Sequence, residues 1–295
     1  MNHVLTTIDN QALDAVARLI CNVLPAEAVF IASSLDAPNA ILTVITDAAS
    51  DRDEEEMLEN VRQLIPDNSH LLLRSFNSVY AAREIGNANL YFACHCLYGS
   101  LLFSTLGSVW SDKVINKDRH QICGATKQNF TETVKKIESL IQDAESTAAL
   151  ENLVDAALLL HFAIIETFRT AACFTTGKSS PSQILATQRA SLCGIEQEIQ
   201  ILPQDLIKDV DSLISSIESA YECGFNNTSL SVTTTGYNAL KLIATAAVRN
   251  VERLFLKHLN HFDVYQVVSR KVNRFFRSLH RNRNLPVFCN LIQSE

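Results

Sequence analysis

The chain has 295 residues and a formal net charge of −7, with 47% apolar and 19% charged residues. This length favours two domains over one, and the ordinary globular composition excludes a low-complexity chain. Residues 241–283 contain 10 Lys/Arg and 2 Asp/Glu, whereas residues 1–240 contain 15 and 29. An acidic body therefore ends in a basic segment.

No basic region followed by an apolar run and a small-residue cleavage site opens the sequence, which predicts a cytoplasmic protein. The longest apolar stretch, LVDAALLLHFAIIETFRTAAC, includes Asp155, Glu166 and Arg169. A bilayer core would penalise these charges, so we predict a buried helix and no membrane contact. Eight cysteines without Cys-x-x-Cys spacing predict reduced thiols, and Cys94-His95-Cys96 is assigned to core packing rather than to a metal site.

The first 110 or so residues predict a small α/β unit. Apolar positions at helical spacing from Gln11 to Val23 precede β-rich runs at Ala28–Ile31 and Ile41–Ile45. Asp51–Leu64 is predicted helical because acidic residues suit a helix N-terminus. The stretches HLLLRSF and SLLFST predict strands, and the segment between them predicts helix with a Gly/Asn break.

From Gln128 onward the sequence predicts successive amphipathic helices without a convincing strand. The segment Leu150–Phe174 is apolar all round, which suits the central helix of a bundle. We expect the next helix to start at Pro181. Further helices are predicted with these bounds: Gln204–Tyr221, Thr235–His258 and Asp263–His280. A domain boundary is predicted near residues 118–127.

Two motif-like stretches have simpler structural interpretations. FTTGKSS carries the second half of a P-loop, but it follows a helix rather than a strand, so Gly177 is predicted to end that helix. DRDEEE offers Asp51-x-Asp53, yet further acids follow and nothing distant converges with them. A charged helix start is the preferred interpretation.

Residues 29–47, VFIASSLDAPNAILTVITD, contain two predicted strands with a Ser-rich corner. This region resembles the core of the bacterial minimal nucleotidyltransferases, which have Gly-Ser after the first strand and Asp-x-Asp on the second. Ser33 and Ser34 stand where that family binds phosphate, while Asn39 and Ile41 replace the two aspartates. The resemblance implies nucleotide binding at Ser33, Ser34 and Asn39. Isoleucine cannot ligate Mg²⁺, so we expect no metal and no transferase activity.

Residues 28–258 resemble, in spacing rather than identity, bacterial proteins that fuse this domain to a HEPN domain. NLVDAALLLHFAIIETFRTAACFTTGKSSPSQIL is similar to the central HEPN helix and the loop after it, and SLISSIESAYECGFNN is similar to a later helix. The fused proteins carry a His where Gln183 stands and Arg-Tyr where Phe225 and Asn226 stand. The resemblance implies a homodimer through the bundle.

HEPN ribonucleases use an Arg-x4-6-His motif, and two pairs in this chain match the bare spacing: Arg253 with His258, and Arg274 with His280. On one helix these separations place the paired side chains about 120 to 140° apart, so a shared site would need Arg reach or a dimer partner. Solvated or capping roles are the preferred interpretation of both histidines.

The segment SRKVNRFFRSLHRNRN concentrates cations with aromatic residues between them. The candidate nucleic-acid-binding residues are Arg270, Lys271, Arg274, Arg277, Arg281 and Arg283. Cations three and four residues apart form one helix face, as expected for contact with a phosphate backbone. An equally favoured interpretation is that the helix docks its aromatic face on the bundle and its cations on the acidic body.

The sequence therefore predicts an α+β fold, with a small nucleotidyltransferase-like α/β domain (1–120), an all-α HEPN-type bundle (121–262) and a basic C-terminal helix and tail (263–295). The resemblance implies a non-catalytic nucleotide- or RNA-binding regulatory protein of the bacterial defence or toxin–antitoxin type, with no cofactor. The alternatives are a HEPN ribonuclease or a residual nucleotidyltransferase. A third alternative is a protein-binding scaffold whose basic helix meets an acidic partner.

Overall fold

A computed structural model of the chain describes residues 10–33, 40–47, 61, 63, 71–97, 100–105, 110, 119–192, 204–223 and 230–281. Within them, side chains are described for 16–32, 41–47, 61, 63, 72–96, 101–105, 110, 121–192, 210–221 and 230–262. The described helices, in chain order, are α1 (Asn10–Val23), α2 (Ser78–Gly86), α3 (Leu90–Phe92) with a π-helical turn (Ala93–Leu97), α4 (Arg119–Ala149), α5 (Leu153–Thr176), α6 (Leu185–Ala190), α7 (Gln204–Cys223) and α8 (Thr234–Arg281). The described strands are β1 (Ala26–Ser33), β2 (Ala40–Thr46), β3 (Leu71–Asn77) and β4 (Ser100–Ser104).

The four strands form one mixed sheet in the order β3-β2-β1-β4. β1 pairs antiparallel with both β2 and β4, whereas β2 and β3 run parallel. The register places Phe30 opposite Thr43, and Thr43 opposite Arg74. Because opposed residues in neighbouring strands point to the same face, these three side chains share one side of the sheet.

The two faces of the sheet support separate apolar cores. On one face a small core contains Val29, Leu42, Val44 and Leu73, packed with Ile20 and other residues of α1. The alternate strand residues enter the large core, which extends into the helical bundle; those from the strands are Ala28, Phe30, Ile45 and Phe76. Successive residues of a strand point to opposite faces, so a strand that is apolar at consecutive positions fits a sheet covered on both faces.

Helix α5 is the central element of the bundle. It packs against α4 and α8 along its length, and it also contacts α3, α6 and α7. Fourteen of its side chains are buried, over about two-thirds of its circumference, and the remaining side carries the half-buried apolar residues Leu158 and Phe162 together with Glu166 and Arg169. This explains why its sequence is apolar all round rather than amphipathic.

Local hydrogen bonds stabilise both ends of α5 and provide partners for its buried hydroxyl groups. The Asn152 side chain accepts from the backbone N–H of Asp155 at the N-terminus, and Gly177 ends the helix in the left-handed region at φ 85°. Inside the helix, threonine hydroxyls donate to the carbonyl four residues earlier, as in Thr167 to Ala163 at 2.7 Å and Thr176 to Ala172 at 2.9 Å. Each buried hydroxyl therefore has a partner without help from another helix.

Three aromatic rings join the long helices. Phe130 of α4 stacks on Phe255 of α8 with 3.7 Å between ring centroids, and Phe174 of α5 meets both rings edge-on. Edge-to-face contacts such as the two made by Phe174 contribute about 0.5–1.5 kcal/mol each beyond burial of area. They fix the relative positions of α4, α5 and α8.

Among the described residues, Leu153–Thr176 is the one helix whose length and apolar composition would be sufficient to cross a membrane. Most of its most apolar window, 61%, is buried inside the protein. The neighbouring helices and the sheet thus cover this surface, as expected for a core helix. The prediction of a buried helix here is confirmed.

The structure confirms the α+β class and most predicted elements. The helix predicted for Gln11–Val23 and the four predicted strands are present within a residue or two. The predicted break between the helices after β3 occurs at residues 87–89, and Gly177 ends α5 as predicted. Except for Val61 and Gln63, the predicted helix Asp51–Leu64 lies outside the described residues.

Two predictions about helix bounds are wrong. Pro181 does not start a helix, because α6 begins at Leu185 and the carbonyls of residues 180–182 accept hydrogen bonds from Arg169. Thr235–His258 and Asp263–His280 are parts of the single helix α8. Residues 237–281 contain neither Gly nor Pro, so no residue breaks the helix, and Asp263 continues it.

The sheet and the bundle share one core. Helix α4 begins at Arg119, inside the predicted boundary region, and its Thr126 hydroxyl donates to the Ala88 carbonyl at 2.7 Å. Asn129, one turn later, donates to the Asn87 carbonyl at 2.6 Å. The start of the bundle is thereby attached to the loop between α2 and α3. The division at residues 120 and 262 stays a prediction, and α8 runs through the second of these positions.

Candidate functional site

Most of the predicted nucleotide-binding corner lies outside the described residues. Ser34 and Asn39 are not described, and of Ser33 only the backbone is described, as the last residue of β1. Ile41 is a buried residue of β2, 6% exposed, and pairs with Ala32. At this position, where the resemblance would place a metal-binding aspartate, the strand contributes an apolar side chain to the sheet.

Polar side chains do meet on the bundle-facing side of the sheet, around the ring of Tyr91. The Tyr91 hydroxyl lies 2.9 Å from the Thr43 hydroxyl, and burial raises the pKa of Tyr91. The Arg74 guanidinium lies over the same ring, 5.3 Å from its centroid, and donates to the Thr175 carbonyl at 3.3 Å. Strands β2 and β3, helix α3 and the end of α5 thus converge here.

His95 also lies against the Tyr91 ring, with 4.4 Å between the centroids. It is held in the π-helical turn after α3, and its Nδ1 atom is buried without a hydrogen-bond partner among the described residues. Burial, followed by the charges of Arg74, His258 and His261, lowers the pKa of His95 to about 3. The imidazole is therefore neutral near pH 7.

The predicted core role of the Cys94-His95-Cys96 stretch is confirmed in part. Cys96 is fully buried, and burial raises the pKa of both Cys94 and Cys96 far above the usual range. Such thiols remain protonated and unreactive. His95, in contrast, is only partly covered and carries a polar atom without a partner.

The predicted ribonuclease pairs are not brought together where side chains are described. On α8, Arg253 is exposed, whereas His258 is 9% exposed and packs against Phe174 with 5.7 Å between centroids. The interpretation of His258 as a solvated residue is therefore wrong, because its side of α8 faces the core. Arg274 and His280 also belong to α8, but the structure describes only their backbone.

The predicted cationic segment is helical as far as Arg281, and Arg283 lies outside the described residues. Helical spacing places Arg270, Arg274, Arg277 and Arg281 on one side of α8, within an arc of about 60°. Lys271 lies about 100° from Arg270, on a neighbouring side. The prediction that these residues belong to one helix is thus confirmed for the backbone as far as Arg281.

A second polar cluster lies between α5, α6 and α7. His161 is fully buried, neither of its ring nitrogens has a hydrogen-bond partner in the described part of the chain, and Nε2 lies 3.6 Å from Glu218 Oε1. Burial lowers the pKa of His161, and the Glu218 carboxylate partly opposes this shift. Gln188, also fully buried, donates to the carbonyls of Ser180 and Ser182.

Neither cluster is built for a metal ion. Within the described ranges, no group of three or more His, Cys, Asp or Glu side chains is arranged to hold one. Arg74 and His95 were not predicted as site residues. The available signal was Arg74 itself, the one charged residue in the apolar strand LLLRSF.

The class that the structure defines is an α+β protein in which a four-stranded mixed sheet is covered on one face by a helical bundle. One solved structure to which it is similar is a nucleotidyltransferase-like protein from Exiguobacterium sibiricum, at 14% sequence identity and a TM-score of 0.32. The match covers 97% of this chain and 84% of that chain. No protein-family model and no curated protein matches the chain.

Proposed function

We propose that the chain is a non-catalytic nucleotide- or RNA-binding regulatory protein with a HEPN-like bundle, of the bacterial defence or toxin–antitoxin type. The regulatory class comes from the sequence resemblance. The observation that carries the binding function is the continuity of α8, whose 48 residues join the buried bundle to the cationic segment. A helix of this length spans roughly 70 Å, so the cations are attached rigidly rather than through a linker.

The cationic positions of α8 can be compared, by helical spacing, with the exposed and buried sides of its described part. In the part of α8 with described side chains, Leu242, Arg249 and Leu256 are exposed on one side. At 100° per residue, the helix positions 270, 274, 277 and 281 lie on average about 50° from that side, and position 277 has the same direction as buried Leu259, five turns earlier. These positions therefore lie at the border between the exposed and the buried sides, so that both ligand contact and docking on the acidic body fit the helical spacing.

Buried Ile41 supports the absence of transferase activity, because an aliphatic side chain supplies no oxygen ligand for Mg²⁺. The ribonuclease alternative loses support at Arg253 and His258, which face solvent and core respectively. Arg274 and His280 remain as its candidates. Metal-independent RNA cleavage that disappears in His280→Ala would replace the non-catalytic proposal with this alternative.

Fluorescence anisotropy with a short single-stranded RNA over a salt series tests the binding function. We expect affinity to fall steeply with salt, with a log–log slope that decreases by about 0.7 for each phosphate contact removed. The variant R270E/R274E/R277E should lose most of this binding. Its matched control is K127E/K135E/K136E, which makes the same charge change at exposed positions of α4. Equal RNA affinity of the two variants would contradict the proposal.

The proposed homodimer has support on the same helix. Leu242 is 51% exposed and Leu256 is 50% exposed, and both lie on one side of α8 two heptads apart. Large exposed apolar residues aligned in this way favour a helix–helix contact. We expect light scattering to show a dimer for the wild type and a monomer for L242E/L256E. The exposed residue Leu150, changed to Glu, provides the control that should remain dimeric.

A further inference from the structure

We propose that Arg74 and His95, with His258 and His261 beside them, bind a phosphate group where the sheet meets the helical bundle. This site is separate from the cationic residues Arg270, Arg274, Arg277 and Arg281 of α8. It depends on the proposed function only for the kind of ligand, since nucleotides and RNA both carry the phosphate that it would bind. The supporting observations are the donors that remain available, the sign of the local charge, and the shape and access of the site.

The first observation concerns hydrogen-bond donors. A guanidinium carries five N–H donors, and among the described residues Arg74 uses one, toward the Thr175 carbonyl. His95 Nδ1 is buried and has no partner in this part of the structure. A buried polar atom without a partner is unusual in a folded protein and calls for one. An oxyanion can accept from both side chains, and a protonated imidazole donates to it through either nitrogen.

The second observation is that the local charge has one sign. Within the described ranges, the groups whose charges act on His95 are Arg74, His258 and His261, all of which are cationic or become so on protonation. Burial first, and then repulsion by these groups, lowers the pKa of His95 and keeps its imidazole neutral when no anion is bound. A bound phosphate would reverse that effect and favour protonated histidine. A cation would add to the repulsion, so the charge pattern selects an anionic ligand.

The third observation is the shape and accessibility of the site. Arg74 and His95 both lie against the Tyr91 ring, which provides a rigid apolar wall between a β-strand and a π-helical turn. π-Helical turns are frequent at functional sites because they alter the direction of a side chain. Both Arg74 and His95 retain partial exposure, although Nδ1 of His95 is itself buried.

Histidine NMR with inorganic phosphate tests this proposal on the full-length protein. At constant ionic strength, phosphate should shift the His95 ring resonances toward their protonated positions, and chloride should not. Arg74→Gln and His95→Gln should each weaken phosphate binding about tenfold or more, because each removes a charge-assisted hydrogen bond. Circular dichroism checks that each variant is folded. If one of the two variants does not fold, the other is sufficient for the comparison with the wild type.

The matched control is Arg83→Gln. Arg83 also lies over a tyrosine, 5.0 Å from the Tyr80 ring centroid, but it is 64% exposed and is not among the groups that act on His95. It should leave phosphate affinity unchanged. The absence of a phosphate-specific shift in the wild type would overturn the proposal, as would equal losses in Arg74→Gln and Arg83→Gln.

Titrations with further ligands show which kind of molecule supplies the phosphate group. They also distinguish this site from the RNA-binding residues of α8. Inorganic phosphate, metal-free ADP and a short single-stranded RNA are compared in the wild type and in R270E/R274E/R277E. The α8 variant should keep its phosphate-induced His95 shift even though it loses RNA affinity. Loss of the His95 shift in that variant would overturn the separate site, whatever the result for RNA.

Discussion

The hydroxyl of Tyr80 donates a hydrogen bond to the carbonyl oxygen of Gly177 at 2.8 Å, which joins the helix after β3 to the end of the central bundle helix. Gly177 can occupy this place because it has no side chain. A Cβ atom there would lie 2.6 Å from Tyr91 Cδ1 and 2.7 Å from Phe76 Cζ, and the backbone has φ +85°. The sheet and the bundle are therefore in close contact at a residue that must be glycine.

The first prediction is that Gly177→Ala destabilises the fold. The left-handed backbone costs an L-residue about 1–2 kcal/mol, and the overlap with two buried rings adds about 1–3 kcal/mol. Urea denaturation should therefore show a loss of at least about 2 kcal/mol. Gly124→Ala is the control: a Cβ there meets nothing within 4 Å and lies in helix α4, so stability should rise by about 0.5–1 kcal/mol. Equal effects would contradict the argument.

The second prediction concerns the loop between α5 and α6. Arg169 donates to the carbonyls of Ser180, Pro181 and Ser182, at 3.2, 2.6 and 3.0 Å. A lysine ammonium cannot reproduce this fork of donors, so Arg169→Lys should loosen the loop although the charge is kept. Hydrogen exchange should show faster exchange at residues 178–184. Arg83→Lys, at a mostly exposed arginine, should leave these rates unchanged.

The strands and the central helix could be predicted from sequence because local pattern and burial agree there. The β-branched runs Ala28–Ile31 and Ile41–Ile45 lie in β1 and β2, and the all-round apolarity of Leu153–Thr176 matches its position between the sheet and two long helices. Where local signals are ambiguous, prediction failed. The acidic residue Asp263 suggests a helix start, but such a residue is also acceptable inside a helix without Gly or Pro.

The polar site could not be predicted, because its members are distant in sequence. Arg74 is on a strand, His95 in a π-helical turn and His258 on the last helix. Their proximity results from the packing of the bundle on the sheet, which hydrophobic periodicity predicts only in outline. The π-helical turn itself has no sequence signature, and without it the orientation of His95 cannot be deduced. The isolated Arg74 in an apolar strand was the usable clue.

The third prediction is that Glu218 limits the lowering of the His161 pKa that burial causes. Burial lowers the pKa of His161 and the Glu218 charge partly raises it. Glu218→Gln keeps an oxygen able to accept from the Leu185 N–H, which Glu218 Oε1 accepts at 2.7 Å, but removes the charge. We expect NMR titration to give a still lower His161 pKa in this variant. Glu222→Gln, at a neighbouring acid of α7, is the comparison. A higher pKa in Glu218→Gln would contradict the assigned cause.

The fourth prediction is that His95 makes the fold sensitive to acid. Its pKa is about 3 in the folded protein against a usual 6.5, so between these pH values the unfolded chain binds a proton that the folded chain does not. Above pH 6.5, protonation of His95 therefore does not affect the free energy of unfolding. As the pH falls from 6.5 toward about 3, the free energy of unfolding decreases because of this group. The slope from this single group is about 1.4 kcal/mol per pH unit.

Urea denaturation at a series of pH values measures this dependence in the wild type and in His95→Gln, in a buffer without phosphate. The variant lacks the titrating group, so its loss of stability between pH 6 and 4 should be smaller by about 1.4 kcal/mol per pH unit. Identical slopes would show that the His95 pKa is not depressed. Added phosphate provides a second check, because an anion that favours protonated His95 should reduce the wild-type slope and leave that of His95→Gln unchanged.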